Sequence, residues 1–197
     1  MKKRYSTLLV LILSLMFGLT GCAQKPKVSI SFDPFTPNPA VLQKSGTIYL
    51  ARVTDARKNK NVVGKIIQSG KPVTTILTDD SIDRWFADAL VKALDVEGCK
   101  VVRKPVNNSK VAQVKIRIDE LEALLDRSEL TKENLTATAK VTLFIKQGNV
   151  QITKHVGLTQ KKWVPPFSGE GTVKSYLQET LEQLVESVRE HIDEYRF

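Results

Sequence analysis

Two histidines and two cysteines are all the imidazoles and thiols that 197 residues provide. A zinc-type site needs such donors clustered at ligand spacing, and neither His155 nor His191 has a donor-rich neighbourhood. His155 falls on an expected strand. His191 falls near the end of the last expected helix, where a protonated imidazole complements the helix dipole. There is no Gly-x-Ser-x-Gly elbow, and spacing singles out no Ser, His and Asp set. Gly169-Glu170-Gly171 precedes a helix, where backbone amides bind anions. However, Lys174-Ser175 follows the glycines too soon for a phosphate loop. The paired acids Asp79-Asp80 stand at a helix start, where capping and the dipole account for them. These absences leave no catalytic set, no metal site and no cofactor. The expectation is a protein that is not an enzyme.

A long apolar run is also missing. The stretch from Leu8 to Leu19, broken by Ser14 and Gly18, is shorter than the roughly 20 residues a membrane-spanning helix needs. What surrounds it is informative. Met1-Lys2-Lys3-Arg4 precedes it and Thr20-Gly21-Cys22 follows, which is the order of a secretory signal: basic region, apolar region, small-residue cleavage zone. Leu19-Thr20-Gly21-Cys22 resembles the bacterial lipobox. The resemblance implies cleavage between Gly21 and Cys22, with diacylglycerol on the Cys22 thiol and a further acyl chain on the new amine. Each buried acyl carbon contributes about 0.8 kcal/mol and a single chain anchors only marginally, so two or three chains make the attachment durable. Ala23, not aspartate, follows the cysteine. By resemblance to the sorting rule of enteric bacteria, this directs the chain to the inner leaflet of the outer membrane, facing the periplasm.

Residues 1–21 are thus read as a cleaved signal, 22–46 as a lipidated proline-rich tether and 47–197 as a single domain. With Cys22 taken by lipid, Cys99 has no disulfide partner and reads as a small buried hydrophobe. The net charge is +9, of which Lys2, Lys3 and Arg4 supply three. A modest positive charge outside the cytoplasm favours anionic headgroups, lipopolysaccharide or acidic protein surfaces, and nucleic acid is not expected. The cations singled out for such contact are Arg57, Lys58 and Lys60, with Arg52 and Lys65 nearby, and Lys161 and Lys162 beside Trp163.

Pro26, Pro34, Pro37 and Pro39 make the tether non-helical, with at most one edge strand over the Val28 to Phe32 alternation. Thr47 to Val53 reads as a strand ending at Thr54-Asp55-Ala56-Arg57. Lys58 to Thr78 reads as a long loop with a short strand over Val73 to Leu77. Ile82, Trp85, Phe86, Ala89, Leu90, Ala93 and Leu94 form a helical stripe, capped by Asp79 or Asp80 and closed by Gly98. A short strand spans Lys100 to Arg103. Val114, Ile116 and Ile118 then alternate on one phase and Leu121, Ala123 and Leu125 on the other, which requires a β-bulge near Asp119 and Glu120. Leu135 to Ile145 alternates with Thr136 to Lys146, and Gln147-Gly148-Asn149 turns this strand into a second one through Val150, Ile152, Val156 and Leu158. Val173 through Tyr195 forms the last helical stripe. The expected class is α+β, a mainly antiparallel sheet with two amphipathic helices packed on one face.

Together the lipobox, the strand closing on Val53-Thr54-Asp55-Ala56-Arg57, the Asp79 to Gly98 helix leading into Lys100-Val101-Val102, the polar strands and the C-terminal helix resemble the YajG-like family of uncharacterised bacterial lipoproteins. The resemblance implies an envelope protein and brings no catalytic residues. The leading expectation is a non-catalytic envelope lipoprotein that binds a protein partner or serves envelope assembly. A second is an auxiliary lipoprotein that binds lipid or glycan for an ABC-type or outer-membrane transport system. A third is a cell-wall hydrolase.

Overall fold

The alternating stretches form the central strands in the computed structural model, which describes residues 25–37, 46–106, 108–129 and 131–195. The signal region and Cys22 lie outside the described residues. In chain order the elements are β1 (Lys27–Ser29), β2 (Gly46–Asp55), β3 (Val62–Gln68), β4 (Lys71–Leu77), α1 (Ile82–Val96), β5 (Cys99–Val102), β6 (Ala112–Asp126), β7 (Glu133–Gln147), β8 (Val150–Val164) and α2 (Glu170–Asp193).

Strand β6 is the axis of the sheet. On one side it pairs antiparallel with β7, which pairs antiparallel with β8. Its other edge is shared: β2 runs parallel along its first half and β3 parallel along its second. Beyond β2 lies the parallel β5, and beyond β3 the antiparallel β4, with β1 parallel at the edge. Four of the seven pairings are parallel. The sheet is therefore mixed, and the expectation of a mainly antiparallel sheet is corrected. Period-two alternation reports which side of a strand is buried and is silent on the direction of its neighbour. Direction comes from the connections, and here α1 carries the chain across to β5.

The register of β6 against β7 shifts between Ile118 and Glu120, the bulge that the change of apolar phase requires. It lets Val114, Ile116 and Ile118, and then Leu121, Ala123 and Leu125, all point into one core. Leu135 through Ile145 of β7 join them. Both helices pack side by side on this face, α1 through Phe86, Leu90 and Leu94 and α2 through Leu177, Leu181, Leu184 and Val188. Among the described residues no helix is long and apolar enough to cross a membrane.

Strand β3 falls in a stretch expected to be loop. Gly64 reads as a loop residue in the sequence, yet it serves close packing: a Cβ there would stand 2.8 Å from the Ala123 carbonyl oxygen of the adjacent strand. Gly64→Ala is accordingly expected to destabilise the fold by about 1–3 kcal/mol through overpacking, seen as a lower urea midpoint. An unchanged midpoint would mean that β3 and β6 are less tightly apposed. The helix start also differs from expectation. Ser81 is the residue before α1, and the Asp80 carboxylate accepts instead from the Phe32 N–H at 2.7 Å.

That bond belongs to a strap. After β1, residues 30–37 cross both helices, burying Phe32 and Phe35 with ring centroids 6.2 and 6.5 Å from that of Trp85. Trp85 Nε1 donates to the Asp33 carbonyl at 2.8 Å. The Gln178 side chain both accepts from the Asp33 N–H and donates to its carbonyl, each at 3.0 Å. Lys174 pairs with the Asp33 carboxylate at 3.0 Å. Much of the stretch read as a tether is thus tied to the domain, and its edge strand is β1.

Candidate binding surface

Among the described residues both helices pack on one face, and neither of them covers the opposite face of β6, β7 and β8. The same alternation that sends leucine and valine inward sends Lys115, Arg117, Thr136, Thr138, Lys140, Phe144, Lys146, Thr153, His155 and Lys161 outward. Some of these charges are matched on the surface: Lys140 with Glu120 at 2.7 Å, and Lys65 with Glu122 at 2.6 Å. Near the far end the balance changes. Arg52 faces Lys115, Lys115 faces Phe144, and Lys146 faces Gln113 one row on. Arg52, Lys115 and Lys146 form no ion pair among the described residues. The Arg117 guanidinium lies 5.9 Å from the centroid of the Phe144 ring, a cation–π distance. A hollow of about 240 Å³ opens between Gln113, Lys115, Phe144, Lys146 and Gln151. Of these residues only Arg52 stands near the cations that the sequence singles out; Lys115, Phe144 and Lys146 are not among them. The available signal was Phe144, a large apolar residue on a threonine and lysine phase.

Beside this patch the bulge gathers a polar knot. Asp119 is displaced from the ladder, and its carboxylate accepts from Arg117 Nε at 2.6 Å and from the Thr142 hydroxyl at 2.5 Å. Thr142 also meets Arg117 at 3.3 Å and His155 Nδ1 at 3.0 Å. The Thr142 residue is only 1% exposed. The knot fills the hydrogen-bonding capacity of a buried hydroxyl and fixes the bulge.

The cations singled out from the sequence are not brought together. Arg57 points inward, 9% exposed, and binds Asp55 through Nε and Nη2, with the nearest contact 2.7 Å. Its guanidinium also donates to the carbonyls of Lys60, Val62 and Leu121, so it is not available to a ligand. Lys58 and Lys60 lie exposed on the β2–β3 loop. Lys161 and Lys162 lie exposed at the end of β8.

Groups whose pKa departs from the ordinary value are scattered rather than pooled in a cleft. A hydrogen bond from the Ser81 hydroxyl lowers Asp83 at the α1 start, and burial raises Tyr176 in α2. The 2.5 Å hydrogen bond between Lys154 and Glu194 raises the first and lowers the second. Among the described residues no three His, Cys, Asp or Glu side chains are placed to hold a metal ion. On the helix side, an apolar groove of about 450 Å³ lies between the strap and α1, lined chiefly by Phe32, Pro34, Phe35, Trp85, Ala89 and Val91.

The fold has solved counterparts. A crystal structure of an uncharacterized protein overlays with a TM-score of 0.54 at 11% identity, covering 86% of this chain and 99% of that one. A DUF330 protein of Xanthomonas campestris overlays with a TM-score of 0.50 at 17% identity, covering 83% of this chain and 91% of its own. The rare lipoprotein B of Shewanella oneidensis is a looser match, at a TM-score of 0.35 and 10% identity over 66% of this chain and 96% of its own. At these identities the likeness is one of fold alone. No family model and no curated protein matches the chain, so the YajG-like resemblance rests on the motifs that carry it.

Proposed function

We propose that this is an envelope lipoprotein, held through acylated Cys22 in the inner leaflet of the outer membrane, whose periplasm-facing domain binds an acidic protein partner on the bare sheet face without catalysis. The observation that carries the binding role is a set of cations without an ion pair among the described residues, Lys115 and Lys146 beside the Phe144 ring and Arg52 next to Lys115, on a face that no described helix covers. An acidic partner supplies the missing counter-charges and covers the ring, and such complementarity acts first on association rate and specificity. The anchor is supported by the signal order and lipobox of the sequence. The YajG-like resemblance agrees with this reading.

A hydrolase would draw on the Asp119, Thr142 and His155 knot, the arrangement here closest to a catalytic set. A nucleophile needs access to its substrate, and the Thr142 hydroxyl is enclosed by its own partners. The groove beside Trp85 favours a second reading, a lipid or glycan carrier, because its size falls within the usual range of about 300–1,000 Å³ for ligand pockets. Native mass spectrometry of the membrane-extracted protein that finds no ligand beyond the anchor removes that reading.

The partner reading is tested with a photo-crosslinking residue in place of Phe144 in intact cells, compared with one at Ser187 on the helix side. Reproducible protein adducts are expected from position 144 and not from 187. The paired substitution Lys115→Glu and Lys146→Glu is expected to abolish them while leaving the unfolding midpoint within about 0.5 kcal/mol of the parent, as for other surface changes. Adducts of equal yield from both positions, or adducts that survive charge reversal, would count against it.

A further inference from the structure

The end of the sheet from which the N-terminal strand emerges is also the end that exposes two aromatic rings. One row of paired residues crosses six strands: Lys27 faces Thr75, then come Lys65, Leu124, Thr136 and Lys161. β1 is parallel to β4, and the Pro26 carbonyl accepts from the Thr75 N–H at 3.0 Å. The chain ahead of Lys27 therefore points back along β4, toward Lys71 and the turn at Ser69 and Gly70. Two rows on in that direction stand Pro72, Ile67, Asp126, Asn134 and Trp163. Five strand spacings of roughly 4.8 Å place β1 and β8 about 24 Å apart along this end.

At the β8 corner Trp163 is 55% exposed and Phe167 is 93% exposed. Phe167 is not exposed through slack. Its φ is 64°, in the left-handed region where a bulky side chain is strained, and the groups around it hold it there. Its N–H donates to the Glu133 carboxylate at 2.8 Å. Arg127 pairs with that carboxylate at 3.1 Å and donates to the Ser168 carbonyl at 2.5 Å. The Ser168 hydroxyl closes onto the Pro165 carbonyl at 2.7 Å. Glu133 itself is only 3% exposed. A buried acid thus braces a loop whose tip carries an aromatic ring into solvent. The Lys132 ammonium lies 3.9 Å from the centroid of the Trp163 ring, and Lys161 and Lys162 precede it. Strain held by surrounding structure marks functional loops. Aromatic rings beside lysines suit a bilayer interface, with the rings at the boundary of the acyl chains and the ammoniums at the phosphates.

We infer that this end is a membrane-seating base: Phe167 and Trp163 enter the headgroup region of the bilayer that holds the Cys22 lipid, and Lys132, Lys161 and Lys162 contact its anionic headgroups. The inference rests on the lipid-anchored reading. Three backbone steps join Cys22 to Lys25, a reach of about 11 Å at most, so the anchor holds the β1 corner at the membrane while the rings seat the β8 corner. The strands then stand on end, and the Phe144 patch is presented away from the bilayer.

The chain carries two tryptophans, which makes the test specific. The mature chain is coupled through Cys22 to a maleimide phospholipid in anionic vesicles with brominated acyl chains; Cys99 is buried at 1% exposure and stays unreacted. Coupling makes the seating test independent of acylation in cells, which is measured separately. In Trp85→Phe, the emission of Trp163 is expected to shift to the blue and to be quenched. In Trp163→Phe, the emission of Trp85 is expected to remain unquenched. Phe167→Ser, at an exposed position, is expected to keep the unfolding midpoint and to lose most of the Trp163 quenching. Trp163 emission that stays unquenched on coupled vesicles, or equal quenching of both tryptophans, overturns the proposal.

Discussion

Arg57→Ala is expected to cost about 3–5 kcal/mol of folding stability, the usual effect of removing one partner from a buried ion pair. Both side chains are enclosed, Arg57 at 6% and Asp55 at 4% exposure. Loss of the guanidinium leaves a buried carboxylate without its counter-charge, and takes from the carbonyls of Lys60, Val62 and Leu121 the donor that now serves them. The position explains the size of the effect. Here the edge of β6 passes from β2 to β3, and the guanidinium ties the connecting loop to β6 through Leu121. Arg57→Lys keeps the charge but not the planar fork, so it is expected to recover part of the loss. Replacing both residues by apolar side chains of similar volume is expected to cost less than Arg57→Ala alone, because no charge is left stranded. Urea unfolding of the variants checks the order. An Arg57→Ala shift below about 0.5 kcal/mol, the range of ordinary surface changes, would show that the pair does not hold the β2–β3 junction.

Arg57 also illustrates where sequence reading stops. Val53-Thr54-Asp55-Ala56-Arg57 is one of the features that carry the YajG-like resemblance, yet from the sequence its arginine reads as a surface cation. Asp55 and Arg57 are two residues apart, a spacing that puts side chains on the same side of a strand. The spacing is compatible with a mutual pair, but nothing local says which side is buried. The elements with strong periodicity were legible: the α1 and α2 stripes, the β7–β8 hairpin, and the bulge required by the change of phase at Asp119. What failed depended on non-local pairing. The parallel run of β2 and β3 along β6 leaves no trace in their alternation. β3 was hidden because Gly64 reads as a loop residue when the strand beside it is unknown. The strap over the helices was hidden because prolines report what the chain cannot form and not what it lies against. On the candidate surface, the cations could be counted in the sequence, but only the register brings Arg52, Lys115 and Lys146 around Phe144.

The second large effect concerns attachment. Cys22→Ala is expected to move the chain from the membrane fraction to the soluble envelope fraction. Acyl chains contribute about 0.8 kcal/mol per buried carbon, and stable anchoring needs more than one chain or one chain with a basic patch. With the lipid gone, only the base at Phe167, Trp163 and the lysines remains. The unacylated chain is therefore expected to bind anionic vesicles weakly and to be released by salt, since contacts between exposed charges are screened. Adding Phe167→Ser is expected to remove that residual binding. Fractionation and vesicle sedimentation measure both steps. A Cys22→Ala chain that stays in the membrane fraction through a high-salt wash would refute the lipid as the main anchor.

Acylation of Cys22 is what would hold the domain at a membrane, and the intact mass of the chain extracted from membranes with detergent tests it most directly. The expected mass is that of residues 22–197 plus a thioether-linked diacylglycerol and an amide-linked acyl chain. A mass that retains residues 1–21, or one that begins at another residue with an unmodified thiol, would contradict it.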